Sequence, residues 1–215
     1  MRPAALVLLC CATLLPALWT PRLAAQEVVV GGDPIAIVFP PGFANLDDRA
    51  RPLAEQFRRS TRAPLRLVAI GFALGDLDGA SSVSDYGAAL HRQLRLYADS
   101  SIENALVSER VFEDFKRVVA LAPPEARAHG AGRVFLDRPR ALGHSYFGYS
   151  REGIVTISAV KLLLRAHIVS AEVSMLAEPD TALPWTERVA EAWAHELMSS
   201  NGSDPVSSPP EALSR

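Results

Sequence analysis

The sequence predicts an α+β fold, with a mainly antiparallel sheet built from hairpins and helices packed on its faces. Two pairs of β-rich segments, each pair joined by a short turn, predict the hairpins. Three segments with apolar residues at helical spacing predict helices before, between and after them. Strand and helix segments do not alternate regularly, which argues against a doubly wound parallel sheet.

The first hairpin lies near the start of the chain. Residues 27–30 and 35–39 are rich in valine and isoleucine, and the Gly-Gly-Asp-Pro sequence at 31–34 is typical of a tight turn. Two prolines and a glycine at 40–42 end the second strand, because proline has no amide hydrogen to donate to a ladder. We therefore expect an antiparallel pair here.

A short helix and a strand follow. Apolar residues at helical spacing predict a helix that ends near Arg59, with either Asn45 or Asp47 as its N-cap. Pro52 suits this helix only in the first turn, where the missing amide hydrogen has no intrahelical partner to lose. Residues 65–72 are largely apolar and predict the next strand.

The middle of the chain contains one ambiguous segment and one clear helix. Residues 88–98 fit a helix or a strand, and we favour a strand because apolar and polar residues alternate at the end of the segment. Ser108 is a suitable N-cap for a helix over Glu109–Leu121. The apolar residues expected on one face of this helix are Val111, Phe112, Phe115, Val118 and Val119. Residues 125–140 are polar and predict irregular structure.

The C-terminal half carries the longest predicted strands. A short strand is expected at 147–149, and the β-rich runs at 154–163 and 167–176 predict the second hairpin. Pro184 is expected to open a last helix, which the Asn-Gly pair at 201–202 closes as a C-cap. The apolar face of that helix is expected to consist of Val189, Ala192, Trp193 and Leu197.

The N-terminal segment predicts export. A basic start, an almost wholly apolar run and a small-residue site ending at Ala25 are the three parts of a cleaved bacterial signal peptide, residues 1–25. The alternative is that this segment is retained as a membrane anchor, but its apolar run is shorter than the roughly 20 residues of a membrane-spanning helix. With the segment cleaved, no transmembrane segment is expected in the mature chain. The mature protein would be periplasmic or secreted, with one α+β domain over 26–202 and a disordered tail over 203–215.

Composition excludes several functional classes. The 215 residues include 22 basic and 24 acidic side chains, for a formal net charge of −2, which argues against a nucleic-acid-binding protein. Cys10 and Cys11 both lie in the predicted signal peptide, so the mature chain would have no disulfide and no thiolate metal site. The five histidines show no ligand spacing, and we expect no metal and no cofactor.

The layout resembles a known class of small domains. The residues concerned are the strand that ends in Pro-Pro-Gly-Phe at 40–43, the hairpin over 154–176 and the last helix with Trp193. On these residues, and over most of 27–201, the chain resembles the PsbP/Mog1-like class of α/β/α domains. It is also similar in layout to an uncharacterised family of secreted proteobacterial proteins. The resemblance implies a non-catalytic accessory or binding protein and transfers no site residue.

One pattern favours a different function, a small serine hydrolase. Gly143 and Ser145 match the start of the Gly-x-Ser-x-Gly nucleophile elbow, and Asp180 and His195 follow in the order in which that fold carries its triad. However, Phe147 replaces the last glycine, and the flanking segments lack the strand-to-helix pattern. The hydrolase with Ser145, His195 and Asp180 is therefore the alternative, and a plain loop that enters a strand is the preferred interpretation.

Two further motifs are incomplete metal sites. His195 and Glu196 are the first half of a zincin motif, but Ser199 stands where the second histidine belongs. The Asp-Leu-Asp-Gly sequence at 76–79 is similar to part of a calcium loop, but the bidentate glutamate that should follow is missing. We expect an acidic turn at 76–79.

A cluster of arginines around the first predicted helix is the candidate binding surface. Arg51, Arg58, Arg59 and Arg62 would suit an anionic partner, because guanidinium groups bind carboxylates and phosphates in bidentate geometry. The alternative is a solvated helix face whose charge is offset by neighbouring carboxylates.

The sequence therefore predicts a non-enzymatic exported protein that binds a protein or cell-envelope partner. An inhibitor or an immunity protein is one version of this role. A sheet face, or the cleft between a helix and the sheet, would be the contact surface.

Overall fold

The structure, a computed structural model, describes residues 25–77, 91–121 and 132–202. The predicted tail, and all of the predicted signal peptide except Ala25, lie outside these ranges. Within them, the strands are β1 (Gln26–Val30), β2 (Asp33–Ile37), β3 (Phe43–Asn45), β4 (Leu65–Ala73), β5 (Arg92–Asp99), β6 (Arg133–Arg138), β7 (Ala141–Tyr149), β8 (Ile154–Leu164) and β9 (His167–Leu176). The helices there are α1 (Leu46–Ser60), α2 (Leu74–Leu77), α3 (Glu109–Leu121) and α4 (Pro179–Ser200).

Seven of these strands form one sheet in the order β3-β4-β5-β9-β8-β7-β6. Every neighbouring pair in this sheet is antiparallel, and β1 and β2 form a separate antiparallel hairpin. Helices pack on both faces of the sheet, so the predicted α+β class is confirmed. No helix in the described ranges combines the length and hydropathy that a bilayer crossing requires.

Both predicted hairpins are confirmed, and both turns use left-handed backbone. The β1–β2 turn has φ of 60° at Gly31 and 95° at Gly32, and the β8–β9 turn has φ of 46° at Arg165 and 65° at Ala166. Positive φ at both central residues matches the right-handed twist of the flanking strands. Glycine adopts this conformation without steric cost. Arg165 and Ala166 are held in it by two long strands that pair along their whole length.

One face of the sheet is covered by α4 and the β1–β2 hairpin. Trp193 is fully buried there, with its ring stacked 5.9 Å from that of Phe39 and its Nε1 donating to the Val38 carbonyl at 2.9 Å. Just after α4, the side chain of Asn201 bonds both backbone groups of Ala36. The Ala36 amide donates to Oδ1 at 2.8 Å, and Nδ2 donates to the Ala36 carbonyl at 2.9 Å. These contacts attach the hairpin to the end of α4.

The opposite face of the sheet carries α1 and α3. Successive side chains of a strand point to opposite faces. In β8, Leu162 and Leu164 pack in the cluster around Trp193, whereas Leu163 packs with Phe112 of α3. The same alternation in β4 directs part of that strand toward α1. The two helices therefore contact different parts of this face.

The first helix forms where it was expected, with an interruption that explains its proline. Asn45 is the N-cap, and its side chain accepts from the Asp47 amide. Ala50 has non-helical dihedral angles, φ −151° and ψ 64°. The helix starts again after Ala50, so Pro52 lies in the first turn of its second part. Its missing amide hydrogen is tolerated there.

The bounds predicted for α3 are confirmed, but its predicted apolar face is wrong in two positions. The Oγ of Ser108 accepts from the Val111 amide at 3.3 Å, as an N-cap does. The residues that point inward are Phe112, Phe115, Lys116 and Val119. Val111 and Val118 are exposed, because each lies one position beside that stripe and turns away from the sheet.

The last helix begins five residues earlier than predicted. Pro179, not Pro184, opens α4, and Pro184 lies inside it. Either proline is compatible with the first turn of a helix, and the sequence alone does not show at which of the two the helix begins. Ala192 was expected on the buried face and is exposed. The predicted C-cap is confirmed at Asn201, with a left-handed Gly202 after it.

A strand occupies the end of the segment that was expected to be irregular, and the next strand begins earlier than predicted. Residues 133–138 form β6, the edge strand of the sheet, and β7 begins at Ala141 instead of residue 147. Most of β6 is exposed, so it does not need the apolar alternation by which a buried strand is recognised. The ambiguous segment is a strand from Arg92 onward, as we favoured, and its residues 88–90 lie outside the described ranges, as do 125–131.

Candidate functional site

The alternative catalytic set does not assemble. Asp180 and His195 both lie on α4 and are fifteen residues apart. At about 1.5 Å of rise per residue they are separated by about 22 Å along the helix. The acid of a triad must hydrogen-bond the histidine directly, so these two residues cannot act together with Ser145. The hydrolase alternative is wrong.

Ser145 belongs to a buried polar cluster instead of an exposed turn. It lies in the middle of β7 and is only 3% exposed. Its Oγ donates to Glu187 Oε1 at 2.8 Å and lies 3.1 Å from the Oγ of Ser158, which in turn donates to Thr186 Oγ1 at 2.8 Å. A hydrolytic nucleophile must reach its substrate. Ser145 is enclosed between its own sheet and α4.

Glu187 links this cluster to the edge of the sheet. Arg133 of β6 donates from Nε to Glu187 Oε1 at 2.8 Å and from Nη2 to Oε2 at 2.5 Å. Burial alone would raise the pKa of Glu187, but the hydrogen bonds from Arg133 and Ser145 outweigh it and hold the pKa below the ordinary glutamate value. An ionised Glu187 therefore joins β6 and β7 to α4.

The glycine of the Gly-x-Ser pattern is required by packing. A Cβ at Gly143 would lie 2.7 Å from Phe135 Cζ and 2.8 Å from Leu136 Cβ, both in β6. These distances are well inside van der Waals contact, so only glycine fits beside β6 here. The resemblance to a nucleophile elbow therefore arises from strand packing.

Within the described part of the chain, folding brings no further metal ligands to the two incomplete metal motifs. The Asp76 carboxylate accepts from Arg92, at 2.8 Å from the backbone amide and 3.0 Å from Nε. Asp78 and Gly79 lie outside the described ranges. Among the residues that the structure describes, no group of three or more histidine, cysteine, aspartate or glutamate side chains could hold a metal ion.

The structure separates the four arginines predicted as a binding surface. Arg51 and Arg58 line a cleft of about 840 Å³ between the β1–β2 hairpin and α1. Arg59 is exposed on α1, where its Nε donates to the Glu55 carbonyl at 3.4 Å. Arg62 is exposed beyond the end of the helix. Only Arg51 and Arg58 are therefore brought together.

This cleft is balanced in charge. Arg58 donates from Nη1 and Nη2 to the two carboxylate oxygens of Asp47, at 2.8 Å and 2.5 Å, and this pairing raises the pKa of Arg58 further. The other charged residues of the lining are Arg49, Arg51, Asp48 and Glu55. Equal numbers of arginines and carboxylates weaken the attraction that the cleft exerts on anions. Anion binding at Arg51 stays a prediction.

A second cavity, which we call the sheet groove, was not identified from the sequence. It encloses about 540 Å³ over β5, β9, β8 and β7, on the face that carries α1. Arg95, Glu172 and Tyr146 contribute to its floor, and Phe57 of α1 forms part of one wall. Tyr149 lines the groove near the β7–β8 turn and is 75% exposed.

Opposite charges lie side by side in the floor of the sheet groove. Arg95 of β5 and Glu172 of β9 are direct cross-strand partners. The guanidinium carbon of Arg95 also lies 5.3 Å from the centroid of the Phe57 ring, a cation–π distance. Burial raises the pKa of the neighbouring Tyr97, the charge of Glu172 adds to the rise, and Arg95 opposes it. Opposite charges therefore lie beside aromatic surface in the floor of this groove.

The sequence carried one signal for this groove. In β5 and β9, polar residues occupy alternate positions within otherwise apolar strands: Gln93 and Arg95 in the first, Glu172 and Ser174 in the second. The register places all four on one face. That pairing of distant segments is visible only in the folded sheet.

No protein-family model matches the chain, and no curated protein matches it. Among solved structures, the chain is similar to the Saccharomyces cerevisiae Ran-binding protein Mog1p, with 13% identity over 83% of this chain and 92% of that chain and a TM-score of 0.38. It is also similar to a point mutant of protein Mog1, with 14% identity over 84% of this chain and 94% of that chain and a TM-score of 0.37.

Proposed function

We propose that this protein is a non-enzymatic binding or accessory protein that holds a segment of a protein partner in the sheet groove. The observation that carries the proposal is the combination of the Arg95–Glu172 pair with Phe57, Tyr146 and Tyr149 around one concave surface. Tyrosine and arginine are the residues that most often supply binding energy at protein interfaces.

The size and exposure of the sheet groove also suit a protein partner. About 540 Å³ accommodates a few side chains of a partner segment. Tyr149 presents a large ring to solvent at the rim, where a partner would cover it. The charged pair would select a segment that offers an acceptor to Arg95 and a donor to Glu172.

Affinity capture with matched variants tests this role. An extract of the cell envelope of the source organism is passed over the immobilised mature protein, and retained proteins are quantified by mass spectrometry. A specific partner should be reduced at least tenfold by Tyr149→Ala and unchanged by Leu106→Ala, which removes a similarly exposed side chain that does not line the groove. Equal retention by both variants would show that the groove is not the contact surface.

We further propose that the protein acts in the periplasm or after secretion. In support, β1 begins at Gln26, so cleavage after Ala25 would leave the first hairpin intact. N-terminal sequencing of the protein recovered from a bacterial periplasmic fraction tests this. The first residue should be Gln26, and a chain found in the cytoplasm with residues 1–25 retained would refute export.

A further inference from the structure

The last helix ends in an Asn-Gly pair, the dipeptide in which asparagine deamidates most readily. In this reaction the backbone nitrogen of the following residue attacks the side-chain amide carbon of asparagine. Glycine favours the attack because it has no Cβ to block the approach. Asn201 and Gly202 form the pair here, whereas Asn45 and Asn104, the other two asparagines of the chain, are followed by leucine and alanine.

The folded protein holds the side chain of Asn201 away from this reaction. Asn201 is only 6% exposed, and its amide makes two hydrogen bonds with Ala36 and one with the Leu197 carbonyl. Ring closure requires the side chain to turn its Cγ onto the Gly202 nitrogen, which breaks all three bonds. At the usual net strength of a protein hydrogen bond, the open form is about 100-fold rarer than the closed form.

The attacking nitrogen is restrained as well. The Gly202 amide donates to the Ser199 carbonyl at 3.3 Å, and this bond retains the proton that the nitrogen must lose in order to attack. Gly202 also has a left-handed φ of 64° in the C-cap of α4. Rotation of its peptide group toward Asn201 would therefore undo the end of the helix.

We propose that Asn201–Gly202 is a deamidation site that is closed in the folded protein and open in the unfolded chain. Its modification permanently removes the side chain that anchors the β1–β2 hairpin to α4. The same hairpin contributes Ile37 to the cleft beside α1, so loss of the anchor also alters that cleft. The site is separate from the sheet groove, whose lining includes neither residue of the pair.

The reaction needs water and no other reactant. The Gly202 nitrogen bonds to Cγ of Asn201, the bond between Cγ and Nδ2 breaks, and Nδ2 leaves as ammonia. Water then opens the five-membered succinimide at either of its two carbonyl groups, which leaves aspartate or isoaspartate at position 201. Neither product has an amide to donate to the Ala36 and Leu197 carbonyls, and isoaspartate also lengthens the backbone by one carbon.

Incubation of the full chain at mildly alkaline pH, in native buffer and in guanidinium chloride, tests the proposal. Deamidation at each asparagine is quantified by mass spectrometry of peptides. Asn201 should react about 100-fold more slowly in the folded protein than in the unfolded chain. Asn104 is the internal control, because it is exposed in a turn and should react at similar rates in the two states.

Two proline variants separate the anchor from burial in general. Ala36→Pro removes the amide that donates to Asn201 Oδ1, and it takes no bond from the β1–β2 ladder because that amide points away from β1. Folded Ala36→Pro should deamidate at Asn201 about fivefold faster than the parent in native buffer. Glu27→Pro lies directly opposite in β1, leaves the anchor intact and should not change the rate.

The last measurement follows the consequence for the fold. After transfer from guanidinium chloride to native buffer, chains deamidated at Asn201 should unfold at a lower denaturant concentration than intact chains, with a shift at least as large as that of Asn201→Ala. The proposal is overturned if Asn201 deamidates equally fast in both states, if folded Ala36→Pro reacts no faster than Glu27→Pro, or if deamidated chains unfold together with intact ones.

Discussion

Replacement of Asn201 by alanine tests how the N-terminal hairpin is held to α4. The Asn201 amide makes two hydrogen bonds with the backbone of Ala36, and its Nδ2 donates a third to the Leu197 carbonyl at 2.7 Å. Each such bond contributes a net of about 1 kcal/mol, and the freed groups would remain poorly hydrated because Asn201 is buried. We expect the free energy of unfolding to fall by about 3 kcal/mol, and the melting temperature by about 6–12 °C.

Urea denaturation followed by circular dichroism measures this loss. Asn104→Ala is the matched control, because Asn104 is exposed in a turn and its removal should change stability by less than about 0.5 kcal/mol. Asn201→Asp keeps an acceptor for the Ala36 amide but turns a buried carboxylate oxygen toward the Ala36 and Leu197 carbonyls, so we expect a loss at least as large as that of Asn201→Ala. A loss for Asn201→Ala no larger than that of Asn104→Ala would refute the bridge between α4 and β2.

Three further changes have outcomes that follow from the structure. Burial alone would raise the pKa of Glu187, but hydrogen bonding lowers that pKa in the folded state. Ionised Glu187 therefore stabilises the fold at a pH above the ordinary glutamate pKa, and this stabilisation is lost as the pH falls through the lower pKa of the folded state. The difference in unfolding free energy between the parent and Glu187→Gln should therefore be larger at pH 7 than at pH 3, and a pH-independent difference would contradict this. A Cβ at Gly31 would clash with the backbone oxygen of Glu103, whereas one at Gly32 meets nothing within 4 Å. Urea titrations should therefore show Gly31→Ala costing about 1–3 kcal/mol more than Gly32→Ala, and equal losses would refute the close approach. On α3, the same titrations should give a loss of about 3–5 kcal/mol for Phe112→Ala and less than about 0.5 kcal/mol for Val118→Ala. Comparable losses would mean that the buried face is assigned wrongly.

The elements that were predicted correctly are those whose local sequence favours a single type of secondary structure. The two glycines at 31–32 between β-branched runs favour a hairpin by turn geometry alone. The helix over Glu109–Leu121 has a serine cap and continuous helical spacing. The face of that helix was harder to predict, because valines stand beside the buried stripe as well as in it. Only the position of the sheet shows that Val118 faces solvent.

The parts that were missed depend on contacts between distant segments. β6 is an exposed edge strand, so its residues carry little hydrophobic pattern, and it is recognised by its pairing with β7. The sheet groove requires the register between β5 and β9, which are far apart in the chain. The sequence alone allowed Ser145 to be a catalytic nucleophile together with His195 and Asp180. In the folded protein its hydrogen-bonding neighbours are Ser158 and Glu187 instead.

The hydrogen bonds between Asn201 and Ala36 span 165 positions of the chain, and the one from Trp193 to Val38 spans 155. The β1–β2 hairpin is therefore anchored only after a segment far later in the chain has been made. Contacts of such long range slow folding, because the whole loop between them must close first. A nascent chain that has not yet reached residues 193–201 lacks the hydrogen-bond partners of this hairpin, so this face of the sheet cannot be completed before α4 is made.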